Sequence, residues 1–334
     1  MRTWKSAATL AVLLASPVWA GTVFNDGLIH NISDGSLSGC WIDVHSGPRG
    51  TATTLNVLPG AVLDSGLDAS AINSPLGEES IINISGGTIT GNFVAVDCQT
   101  AGPHSISGGM ISGGTYGVIL REGAYSISGG VISGPLPAWF RTNAVVDFIG
   151  GTLDGDGGAI VSDNAQLNVH SGLMQSVNFH AVTASHNSTT HIYGGTMTGV
   201  ETSGNATLTI HGGTITAPAG KPNAIVVRNG IVNIRGGDIH GNTTSGGVEL
   251  ITFQGTVSIY GTNFDHPVGP LPLGDGAIVS GTLESGVAFS WRYSNVNGGM
   301  IHLIRSTVAT KEFTLGAVKA MYLGTAPLPP VPRP

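Results

Sequence analysis

Charge is scarce in this chain. Only 10% of its 334 residues are Asp, Glu, Lys or Arg, the formal net charge is −7, and there is no run of basic residues. A nucleic-acid surface needs clustered Lys and Arg to neutralise phosphates, so no nucleic-acid partner is expected. Cysteine is almost absent. Cys40 and Cys98 are the two thiols; an exported chain can join such a pair, and their spacing alone leaves pairing open. Long apolar runs are missing as well. Beyond the N-terminus no stretch is long enough to span a bilayer, so no transmembrane segment is expected in the mature chain. Nor does any stretch hold a helical period over two turns of helix.

Glycine is what the chain has in excess, with 52 residues. So much glycine with so little charge would suit a disordered chain. The positive mean hydropathy and the regular placing of Ile and Val argue instead for a packed interior.

The first residues read as an export signal. Arg2 and Lys5 precede the short apolar stretch 7–15, and Val18-Trp19-Ala20 offers small residues for cleavage after Ala20. Residues 1–20 are therefore expected to be a cleavable signal peptide, and the protein to be secreted or held at the cell surface.

The glycines are not scattered. A phrase, I-x-G-G-x-I-x-G, returns about every 22 residues: Ile84 to Gly91, Ile106 to Gly113, Ile127 to Gly134, Phe148 to Gly155, Ile192 to Gly199 and Ile234 to Gly241. Its second glycine serves as a ruler through Gly35, Gly60, Gly87, Gly109, Gly130, Gly151, Gly172, Gly195, Gly213 and Gly237, with Thr262 in the same place last. Each repeat holds three short apolar-rich pieces bounded by Gly, Asn, Asp or Ser, which is a strand signature. One repeat cannot bury its own Ile and Val; stacked at ~4.8 Å on its neighbours it closes a continuous core. The fold predicted is all-β: a right-handed parallel β-helix solenoid of about eleven turns with a short C-terminal β cap. The solenoid is assigned to 21–265, the cap to 266–322 and a Pro-rich tail to 323–334. Pro267 to Pro272 reads as a linker or loop.

Stacking turns sequence offsets into columns. The residue before the key apolar position runs Asn83, Ser105, Ser126, Asp147, Asn168, His191, Thr209, Asn233, Ser258. The residue after it runs Ser85, Ser107, Ser128, Ile149, His170, Tyr193, His211, Arg235, Tyr260. Alternation points both columns outward on one face. His170, Tyr193 and His211 are thus expected one above another with His191 beside them, and Arg235 and Tyr260 further along. Such a face suits glycan contact, since a ring covers a sugar's apolar side while polar neighbours bond its hydroxyls. Imidazole clusters also bind zinc or copper, but no supporting carboxylate is evident and no metal is expected.

On this repeat, over residues of about 29–265, the chain resembles the bacterial right-handed parallel β-helix superfamily of pectate-lyase-like enzymes and adhesin-like secreted proteins. The resemblance speaks for the fold and weakly for activity. The enzymes of that group imply Asp carboxylates holding Ca²⁺ and an arginine base. The corresponding candidates are Asp154, Asp156 and Asp163 with Arg141, while Asp147 and Arg121 stand nearby and Asp-Gly is equally a turn pair. Turns of roughly 18–27 residues leave little chain for the walls of an enzyme cleft. The preferred expectation is a non-catalytic, adhesin-like structural component of a surface or matrix, contacting a polysaccharide or cell-surface glycan and needing no cofactor. The alternative is a lyase or glycoside hydrolase acting on an acidic polysaccharide, with Ca²⁺.

Overall fold

The computed structural model describes residues 21–35, 37–66, 69–242 and 247–306. The expected signal peptide and Pro-rich tail lie outside the described residues. The chain winds as a parallel β-solenoid of about ten turns, each contributing a strand to three faces. On the first face Ala124–Ile127, Val145–Phe148 and Gln166–Val169 pair in parallel, one repeat apart. The second face is a ten-stranded sheet containing Val131–Ser133, Thr152–Gly155 and Leu173–Ser176. The third carries strands such as Leu136–Arg141, Ala159–Val161 and Val182–Ala184.

The inward columns follow from alternation. Ile127, Phe148, Val169, Ile192, Ile210, Ile234 and Ile259 are register partners on the first face, each at most 1% exposed. Ile111, Ile132, Leu153, Met174, Met197, Ile215 and Ile239, each at most 3% exposed, are register partners on the second. Each such side chain contributes about 1.5–3 kcal/mol by leaving water. Outside, the polar columns bond along the stack: Asn56 Nδ2 donates to Asn31 Oδ1 at 2.8 Å, and Asn83 Nδ2 to Asn56 Oδ1 at 3.0 Å.

The corner between the first and second faces explains the glycine pair. From Gly60 to Gly237 the second glycine has φ between +82° and +100°, a conformation that costs an L side chain. At Gly130 an added Cβ would also lie 2.8 Å from the backbone of Gly108 and 2.9 Å from Gly109 O, one coil below. Adjoining coils therefore touch backbone to backbone at equivalent corners. Gly35 lacks the positive φ, and the first turn departs from the pattern.

The ruler counts eleven turns, but the eleventh mark, Thr262, is where the winding stops. Gly261 and Thr262 pair antiparallel with Leu283 and Thr282 rather than opening another second-face strand. The hairpin Asp275–Leu283 and Ala288–Asn295 then lies along the end of the third face, with Leu250 opposite Tyr293. Met300–Arg305 stacks in parallel on Thr256–Thr262, and Gly269 and Pro270 pair with its far edge. The stretch expected to be a loop thus contains a short strand. Proline is tolerated there because it is the outermost strand. Cys40 and Cys98 are both free thiols.

Candidate functional site

Tight coil-to-coil bonding fixes the first-face outer column. The backbone N–H groups of His170, Tyr193 and His211 donate to Phe148, Val169 and Ile192 of the preceding coil at 2.7–2.8 Å. Their side chains consequently leave the surface in one line. The rings of His170 and Tyr193 are 5.2 Å apart and 10° from parallel; those of Tyr193 and His211 are 4.7 Å apart and 9° from parallel. His191, from the neighbouring column, sits 6.0 Å from both Tyr193 and His211. Further along, the Arg235 guanidinium lies 3.9 Å from the Tyr260 ring centre.

Ring orientation changes the chemistry on offer. The faces of Tyr193 are covered by His170 and His211, so a sugar cannot stack on them. What the ladder turns outward is ring edges: a phenol hydroxyl and imidazole nitrogens. At the lower end Asp147 Oδ1 accepts from Asn168 Nδ2 at 2.8 Å and lies 3.9 Å from His170 Nε2. Burial, with repulsion from His191 and Arg235, holds the His211 pKa below the usual histidine value, so at neutral pH that imidazole both donates and accepts.

The upper end is closed by residues from outside the repeat, which the sequence did not assign to this face. The turn of the C-terminal hairpin leans onto this face, Ser285 N–H bonding to the Arg235 carbonyl at 2.9 Å and Glu284 N–H to that of Tyr260 at 2.9 Å. Glu284 Oε2 pairs with Arg235 Nη1 at 2.6 Å. A shallow depression of about 370 Å³ results, lined by His211, Arg235, Glu284 and Ser285.

The residues of the lyase alternative do not all come together. Arg141 and Asp163 meet at 3.5 Å at the end of the third face. There Asp163 and Asn164 have φ of +54° and +66°, a left-handed turn. Asp154 stands on the second face between Ser133 and Gln175. Asp156 is exposed just beyond it, its carbonyl accepting from Ser176 Oγ at 2.8 Å. Among the described residues no group of three His, Cys, Asp or Glu can hold a metal ion. One buried pair has the residue types of a nucleophilic site, Cys98 Sγ and His104 Nε2 at 3.5 Å. Burial raises the thiol pKa and pushes the imidazole down to about 4, so both stay neutral and the pair is unsuited to thiolate chemistry.

A second feature escaped the sequence reading: a cleft of about 230 Å³ where the second face turns into the third, lined by residues including Phe179, His180, Glu201, Lys221, Arg228 and Phe253. Its wall exists because the connection between these faces, only Gly134 and Pro135 in one coil, grows to 217–224 in another. The signal was available in that local lengthening and in Glu201 and Arg228 standing one coil apart. No helix among the described residues is long and apolar enough to cross a membrane. No family model, curated protein or solved structure matches the chain.

Proposed function

We propose that this protein is an exported, non-catalytic β-helix, an adhesin-like surface or matrix component that contacts glycans through the His170–Tyr193–His211 ladder. One observation carries the reading: three polar ring edges, with His191 beside them, aligned along the solenoid axis at ring separations of 5.2 and 4.7 Å. That step is close to the length of one sugar residue in an extended polysaccharide. A chain lying parallel to the axis meets one edge per residue, each hydrogen bond contributing about 0.5–1.5 kcal/mol. Repetition of weak contacts over several rungs gives useful avidity. The separation of Asp154 and Asp156, at the second face, from Asp163 and Arg141, at the end of the third, supports binding over catalysis.

A glycan array probed with the wild type and with Tyr193→Ala and His211→Ala tests this. Extended polysaccharides should be retained by the wild type and lost by at least tenfold in both variants. Absence of glycan binding, or binding indifferent to both substitutions, removes the ladder as a site.

A further inference from the structure

The cleft at the second-to-third-face corner lies apart from the ladder, and three observations about it converge. The first is charge. Glu201 is matched twice, by Arg228 Nε at 2.5 Å and His180 Nδ1 at 3.1 Å. Those contacts hold its carboxyl below the usual range despite burial. Lys221 is then left over. It is the sole lysine among the described residues and its Nζ hangs 5.7 Å from the Phe179 ring centre. Arg228 is engaged through Nε, and its side chain remains 59% exposed. A chain of net charge −7 therefore gathers uncompensated positive charge at one small mouth.

The second is an unmet hydrogen bond. The His180 side chain is 9% exposed and lines the cleft, and its Nε2 is buried with no partner. That nitrogen is one of eight such atoms among the described residues and the one that belongs to a residue of this cleft, leaving a bond there for a molecule or water to make.

The third is the wall. Phe179 is 61% exposed, and Phe253, Val226 and Pro222 complete an apolar lining in which Asn223 is the one uncharged amide. A flat apolar ring buries more of itself against this wall than a hydroxyl-covered sugar acid does. The volume, about 230 Å³, falls below the roughly 300–1,000 Å³ of sites for drug-sized molecules and matches a single ring.

We propose that this cleft binds a small aromatic carboxylate, its charge meeting Lys221 and the free edge of Arg228 and its ring lying against Phe179 and Phe253. Phe179 is largely exposed, the Lys221 ammonium lies over its ring at 5.7 Å, and the Arg228 guanidinium lies over the Phe253 ring at 5.8 Å, so charge and ring surface face the same small space. The site is independent of glycan contact on the first face, so failure of either leaves the other standing.

Saturation-transfer NMR titrations of the full chain with sodium benzoate, benzyl alcohol, glucuronate and inorganic phosphate provide the test. Benzoate should bind saturably in the millimolar range suited to its size and more tightly than the other three. Lys221→Gln should weaken it by about tenfold or more, the usual scale for losing a charged hydrogen-bond partner. Phe179→Ala should weaken it too. Both side chains are on the surface, and an unchanged thermal transition verifies the fold. The proposal is overturned by absence of saturable benzoate binding, by benzyl alcohol, glucuronate or phosphate binding equally well, or by full-strength benzoate binding in Lys221→Gln.

Discussion

Replacing Gly130 with alanine separates two reasons for a glycine that the solenoid combines. Gly130 has φ +82°, and its missing Cβ would come within 2.8–2.9 Å of Gly108 and Gly109 backbone atoms in the coil below. Gly77 has the same φ of +82°, but nothing lies within 4 Å of where its Cβ would be. Alanine at Gly77 should therefore cost only the left-handed penalty, about 1–2 kcal/mol. Alanine at Gly130 adds a collision with the Gly108 backbone and with the Gly109 carbonyl, which accepts the Val131 N–H in the inter-coil ladder, an overpacking cost of about 1–3 kcal/mol. The sum is about 2–5 kcal/mol. Urea unfolding of the two variants beside the wild type, followed by far-ultraviolet circular dichroism, measures both. Solenoids can unfold in segments, so equal slopes are required before the free energies are compared. Equal losses in the two variants would refute the claim that close coil contact, rather than backbone angle alone, dictates glycine at the corner.

Two further outcomes follow from buried groups. His104 accepts the Ile82 N–H at Nδ1 and is held down to about pKa 4 by burial, whereas the unfolded residue titrates near 6.5. Below pH 6.5 the unfolded chain binds the extra proton first. Stability from this residue is therefore complete above pH 6.5 and lost as pH falls towards 4, by about 3 kcal/mol; His104→Gln should flatten the wild-type decline over that window in urea titrations. Phe148 is fully buried in the first-face column, and Phe148→Ala should lower stability by about 3–5 kcal/mol through lost burial and a cavity, which calorimetry would register as a lower transition temperature.

The repeat, the three strands per coil and the outward columns were all legible in the amino-acid sequence, for one physical reason. A parallel coil whose corner must be glycine has its register set by the spacing of those glycines. Offsets such as Asn168 to His191 thus translate directly into neighbours. The same rule placed His170, Tyr193 and His211 in line. Stacking alone did not reveal which side of each ring faces solvent, because that depends on side-chain torsions set by neighbours above and below. It also missed Glu284 and Ser285, which arrive from a hairpin outside the repeat.

Periodicity by itself determined that this chain must wind, since only stacking lets single Ile and Val positions form an unbroken interior. Tertiary structure alone decided what the surface offers. The turn of the C-terminal hairpin closes one end of the ladder, and unequal connections raise a wall around Glu201 and Lys221. Both arise where the chain departs from its repeat, and a departure carries no register from which its neighbours can be read.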